Sequence, residues 1–248
     1  MNNVNDLIKK IYNEAVEYKP LWAITIWDKK FNGIDKKKQN KVISYYYYLA
    51  SEFEKIERKI GDIVYISTGI TEKERYTTSE LAKGHISEGE IVCIPWGGTP
   101  NVKYFNGKFV TGDNRIATSI DTNILSNKFL YYWMQSKINL ISSFYRGSGI
   151  KHPDMKKILE LKIPVPPIEV QNEIVRILDN FTELEAELEA RKRQYEYYRN
   201  TLLDFDRPET LETVHTHTHT RILYKQNKIC FVWRSGRNSK GSFTKANK

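Results

Sequence analysis

The chain has 248 residues, 40% of them hydrophobic and 12% aromatic, which supports a packed core and excludes wholesale disorder. No run approaches the roughly 18 consecutive apolar residues of a membrane-spanning helix, and Met1 to Lys10 lacks a signal peptide's apolar stretch, so the sequence reads as cytoplasmic. The net charge is +9, but residues 1–205 hold 30 Lys+Arg against 27 Asp+Glu and residues 206–248 hold 9 against 3, so most of the excess belongs to the tail. A basic balance points to nucleic acid, and the folded part carries only a little of it. Cys93 and Cys230 have no metal-ligand spacing and suggest no disulfide framework.

Asn5 to Val16 reads as a short amphipathic helix with Leu7, Ile8, Ile11 and Ala15 on one face, closed off by Pro20. From Leu21 to Ile120 the pattern is mixed and mostly β. Strands are predicted at 62–67, at 90–94 before Pro95 and Gly97-Gly98, and at 115–120. Val102–Phe105 and Lys108–Thr111 flank Asn106-Gly107, whose two residues suit the positive φ of a tight hairpin turn, so a hairpin is expected there. Ser126 to Phe144 returns to helix, with Ser126 as N-cap and Phe129, Leu130, Trp133, Met134, Ile138 and Ile141 on the buried face. A short helix capped by Asp154 runs to Leu159, and a strand at 161–165 ends at Pro166-Pro167.

The clearest periodicity is last. Ile174, Ile177, Phe181, Leu184, Leu188, Tyr195, Tyr198 and Leu202 follow heptad spacing, flanked by Glu183, Glu185, Glu187, Glu189, Arg191, Lys192 and Arg193. About 30 residues at 1.5 Å each make a rod of roughly 45 Å whose single apolar seam needs a partner helix. No second such helix exists in the chain, so the partner is expected to be another chain. After Phe205 the pattern fades into a His-Thr alternation (His215, His217, His219) and a basic stretch with little expected structure.

Motifs for catalysis are sparse. Pro153-Asp154 followed by Glu160-Leu161-Lys162 spells the acid pair and lysine of a metal-dependent nuclease, but the six-residue step falls on a predicted helical turn and splays the two acids. The plainer reading is an N-cap Asp and a surface Glu. The His-Thr tract is low complexity before it is a metal site. Neither a P-loop nor a G-x-G-x-x-G turn is present. The chain reads as non-catalytic, with no metal and no cofactor of its own.

Two loops suit nucleic acid. In the first, Trp96, Gly98, Thr99, Asn101 and Lys103 combine close backbone approach with hydrogen-bonding groups. In the second, Tyr145, Arg146, Gly147, Ser148, Lys151 and His152 add a guanidinium able to pair with guanine.

Ile163-Pro164-Val165-Pro166-Pro167-Ile168-Glu169-Val170-Gln171, with Ile174 and Leu178-Asp179, resembles the signature segment of type I restriction–modification specificity subunits. Ala186 to Arg199 is similar to the same family's spacer helix, and Glu17-Tyr18-Lys19-Pro20-Leu21 to the start of its target-recognition domain. The resemblance spans about residues 6–205. It implies an α+β organisation: an N-terminal segment 1–16, a mixed α/β recognition domain 17–165, a spacer helix 166–205 and a basic tail 206–248. It also implies recognition of one half of a bipartite double-stranded DNA target, with Gly98-Thr99 and Gly147-Ser148 where the family places its major-groove loops. The implied partners are modification subunits, which methylate adenine from S-adenosylmethionine, and a restriction subunit that uses ATP and Mg²⁺. The family's usual subunit has two recognition domains and two long helices. One of each here implies a half-subunit, truncated or built to pair with a second half, most simply as a homodimer through the heptad seam. A stand-alone nuclease using Asp154, Glu160 and Lys162, or a coiled-coil adaptor that does not bind DNA, are the alternatives.

Overall fold

A computed structural model describes residues 16–70 and 74–204. The predicted N-terminal helix, the His-Thr tract, Cys230 and the basic tail lie outside the described residues. The chain divides after Leu184 into two compact units.

In the first unit the elements are β1 (Glu17–Pro20), α1 (Leu21–Ile24), β2 (Thr25–Trp27), α2 (Ala50–Ile56), β3 (Ile63–Ile66), β4 (Arg75–Thr77), α3 (Ser79–Ala82), β5 (Ser87–Pro95), β6 (Lys103–Thr111) and β7 (Asn114–Ser119). They continue with α4 (Asn127–Ser136), α5 (Ile138–Ser143), β8 (Tyr145–Arg146), β9 (His152–Pro153), α6 (Met155–Leu159), β10 (Lys162–Val165) and the start of α7 (Ile168–Leu202). Six strands form one sheet in the order β2-β7-β5-β6-β3-β4, antiparallel except for the parallel β3–β6 pair.

β5 explains the sheet's place in the core. Its run Ile91-Val92-Cys93-Ile94 is buried on both faces, the pattern of a strand covered from two sides. Val92 and Ile94 join the main core with Ala117, Leu125, Phe129, Leu130 and Met134. Ile91 and Cys93 face the other way, against Phe109 and Ile116. Burial pushes the Cys93 thiol up to about 12, so it packs as a small apolar group.

The expected hairpin at Asn106-Gly107 does not form. Both residues lie inside the nine-residue strand β6, opposite Glu90 and Gly89 of β5. The partner strand continues past them, and a full ladder of backbone bonds outweighs the local turn preference. Gly107 still uses its freedom, at φ +139° within the strand. The turn that joins the two strands is the segment 96–102.

Ser126 caps α4 as expected, its hydroxyl accepting the Phe129 N–H at 3.4 Å. The expected single helix breaks at Lys137 into α4 and α5. Asp154 caps α6, accepting the Lys157 N–H at 3.3 Å. β10 returns to pair antiparallel with β1, Glu17 opposite Val165 and Pro20 opposite Lys162, which joins the two ends of the domain.

Gln171 then locks the start of α7. Its side chain is fully buried, donating to Ile124 O and Pro166 O at 2.8 Å each and accepting the Ser126 N–H at 3.0 Å. One turn on, Ile174 and Val175 pack on the main core. Asp179 accepts from Lys128 at 2.7 Å and from Tyr132 at 2.6 Å. In the second unit, the described residues 185–204 begin with the rest of α7. No helix among the described residues is long and apolar enough to cross a membrane.

Candidate nucleic-acid interface

The two loops singled out in the sequence meet in space. The Gly98 N–H donates to Lys151 O at 3.1 Å, and His152 Nδ1 donates to Trp96 O at 2.7 Å. The Trp96 and His152 rings lie 5.2 Å apart. β8 and β9 pair Tyr145 with Pro153 and Arg146 with His152, making a narrow ribbon whose tip is 147–151. Gly147 makes that tip possible: its φ is +144°, and a Cβ there would sit 2.6 Å from the Ile150 carbonyl oxygen.

A buried ion-pair network supports the base of the first loop. Arg115 on β7 is 1% exposed and donates to Asp28 at 2.9 Å and to Asp113. Its guanidinium carbon lies 4.8 Å from the Trp96 ring centre, and the Trp96 N–H donates to Asp113 O at 2.9 Å. Burial pushes the Asp28 carboxyl up to about 6, against the pull of Arg115 and the Ile116 N–H. Burial also lowers the Arg115 pKa. Buried charges are costly unless paired, and here the Arg115 guanidinium is paired with two carboxylates.

The predicted contact residues divide into two groups. Gly98, Thr99, Arg146, Gly147, Ser148, Lys151 and His152 are exposed around the loop junction, with Trp96 half-buried at its base. Arg146 and Lys151 have no ion-pair partner among the described residues. The other three point inward. Tyr145 is buried and donates to Pro95 O at 2.8 Å. Lys103 donates to Ser67 O at 2.5 Å and Gly69 O at 2.6 Å, and burial lowers its pKa. Asn101 donates to Thr68 O at 3.1 Å and Thr99 O at 3.0 Å. Tyr145, Lys103 and Asn101 therefore brace the loops. For Lys103 and Asn101 the cause is the 67–69 turn, whose carbonyls lie beside the first loop and attract both donors.

Sequence reading missed Arg115 and Asp28. The one available signal was an arginine beside Ile116-Ala117 within a strand, with its partner 87 positions away.

The nuclease constellation is dispersed. Asp154 caps α6, Glu160 is ion-paired with Lys38 and accepts from Trp22 Nε1 at 3.3 Å, and Lys162 lies on β10 opposite Pro20. Along α7, Phe181, Leu184, Leu188, Tyr195 and Leu202 of the heptad seam are exposed, while Ile177 and Tyr198 are half-buried. Ile174 departs from the expected seam because it is used by the core of its own domain.

Residues 50–195 match the profile of the family described as type I restriction modification DNA specificity domain. The chain is 32% identical over 143 residues to a putative type I restriction enzyme specificity subunit of Haemophilus influenzae, covering 51% of this chain and 37% of that protein. It is 39% identical over 112 residues to the EcoR124I/EcoR124II specificity subunit of Escherichia coli, covering 41% of this chain and 27% of that protein. The matched segment thus spans about a third of these relatives. The fold is similar to the crystal structure of a type I restriction–modification S subunit from M. genitalium, with a TM-score of 0.52 at 18% identity, over 76% of this chain and 46% of that one. The family profile covers more than half the sequence, and the chain belongs to the type I restriction–modification DNA specificity family.

Proposed function

We propose that this chain reads one half of a bipartite double-stranded DNA target as a specificity subunit of a type I restriction–modification complex. The observation that carries the reading is the convergence of the 96–102 and 146–152 loops into one surface that exposes Arg146 and Lys151 beside Thr99 and Ser148. Arg146 supplies a bidentate donor for guanine, and Thr99, Ser148 and the glycine backbone supply short hydrogen bonds to phosphates and base edges. In this reading the chain binds no cofactor and performs no covalent chemistry. Modification subunits use S-adenosylmethionine and a restriction subunit uses ATP and Mg²⁺, in the cytoplasm where the duplex is found. The exposed residues of the α7 seam pair with a second half-subunit, most simply another copy of this chain.

The test is methylation-site mapping in cells with and without the chain, alongside duplex binding by the purified protein. One methylated sequence that depends on the chain supports the reading. Metal-dependent cutting abolished by Glu160→Ala would favour the nuclease. Partner binding without any duplex affinity would favour the adaptor.

A further inference from the structure

The segment from Asp28 to Lys41 holds six lysines and two aspartates, a net +4. The rest of residues 1–205 holds 24 Lys+Arg against 25 Asp+Glu, a net −1. The positive excess of residues 1–205 is therefore concentrated in one loop.

Its acids do not neutralise it toward solvent. Asp28 is turned inward to Arg115, while Asp35, exposed and accepting the Lys37 N–H at 2.9 Å, offsets only part of the surrounding lysine charge. Lys38 pairs with Glu160. Lys29, Lys30, Lys36, Lys37 and Lys41 remain exposed, with no carboxylate partner among the described residues.

The loop is also held in shape. Gln39 is buried, accepting the Phe31 N–H at 2.8 Å and donating to Lys29 O at 3.1 Å. Phe31 and Ile34 pack on the main core. The Ile43 N–H donates to Trp27 O at 3.1 Å, where the segment rejoins the sheet edge. A fixed loop whose lysines outnumber its acids costs folding energy through self-repulsion, which an external polyanion offsets. One end of the loop adjoins the loop pair. Lys29 Nζ lies 5.9 Å from the centre of the Trp96 ring, at the base of the loop pair.

We propose that the 29–41 loop is a phosphate-backbone contact, in which Lys29, Lys30, Lys36, Lys37 and Lys41 hold the duplex strand flanking the base pairs read by the two loops. The assignment rests on the DNA-recognition reading above. Lysine is a flexible point charge without a planar fork, so such a contact adds affinity and sets register but carries no sequence preference.

The test compares the full chain with K29A/K36A/K37A/K41A and with a control, K55A/K59A/K108A/K137A, that removes four exposed lysines from other elements. Affinity for a mixed-sequence duplex and for the mapped site is measured between about 50 and 200 mM salt, where each phosphate contact contributes a slope of about 0.9 in log K against log salt. The loop variant should lose about 2–4 of that slope and the control less than about 1, with the methylated sequence unchanged. Equal loss in both variants, or an unaltered slope in the loop variant, overturns the proposal while leaving the loop-pair reading intact. A changed methylated sequence in the loop variant overturns it too, because these lysines would then read bases. If the unmodified chain binds neither duplex, the DNA-recognition reading fails first and this proposal falls with it.

Discussion

Two arginines show how burial divides one residue type into opposite roles. Arg146 is exposed at the loop junction and has no ion pair among the described residues, so its guanidinium is free for a ligand. Arg115 is 1% exposed and committed to two aspartates under Trp96. In the assembled complex, Arg146→Ala should cost about 1–3 kcal/mol of discrimination between target and non-target sites, measured by competition binding. Uniform weakening on all sequences would move Arg146 to the phosphate-binding group, and no change at all would remove it from the interface. Asp28 gives a pH prediction. Its folded carboxyl sits at about 6 against an ordinary 3.8, so the folded state holds the proton more tightly than the unfolded chain. The stability from that proton is complete below about 3.8 and lost as pH rises through about 6. Thermal melts of the natural chain and Asp28→Asn should therefore show the natural chain's advantage shrinking from pH 4 to pH 7. A growing advantage would mean that attraction to Arg115 outweighs burial.

Among the elements, the start of α7 depends most on a single side chain. Gln171 satisfies one N–H and two carbonyls from two segments of the chain, 124–126 and Pro166. Gln171→Ala leaves those groups unpaired and should cost about 1–3 kcal/mol, read by denaturant unfolding. Losses below about half a kcal/mol would show that water replaces the amide easily. Further along, Leu184 and Leu188 are exposed on the seam, at 59% and 55%. Leu184→Asp/Leu188→Asp should abolish self-association in light scattering and leave the melting of the recognition domain unchanged. A natural chain that is already monomeric and still directs methylation would remove the seam from the assembly.

For the molecule as a whole, the prediction concerns symmetry. Two identical readers related by a two-fold axis read an interrupted palindrome, whereas two different halves read an asymmetric site. The symmetry of the methylated sequence therefore reports whether the second half is a copy of this chain. The tail makes a separate prediction. Residues 206–248 carry a net +6, and deleting them should reduce salt-sensitive affinity while leaving the methylated sequence unchanged. A new methylated sequence in the deletion would make the tail part of the reader.

Local signals were legible wherever one short segment decides the outcome. Ser126 and Asp154 cap their helices as expected, because an N-cap needs only a side-chain oxygen and the next N–H groups. The heptad run from Ile177 to Leu202 lies on one helix, since helical periodicity is written in consecutive residues. The two loops were identifiable by composition, though their meeting was not. The contact of Gly98 with Lys151 joins segments whose separation in the chain carries no information about their distance in space. Asn106-Gly107 shows the opposite failure. A strong turn signal was overridden because β5 offered a continuous partner, and backbone pairing over seven residues outweighs a two-residue preference. Lys103, Asn101 and Tyr145 have the chemistry of ligand contacts but face carbonyls of their own fold. The sequence by itself determined the family, the starts of α4 and α6 and the heptad spacing from Ile177 to Leu202, all of which depend on neighbouring residues, whereas the short helices α1, α2 and α3 were not foreseen in a stretch that reads as mostly β. Only the tertiary structure decided which polar side chains face outward, because burial and hydrogen-bond partners come from segments distant in the chain.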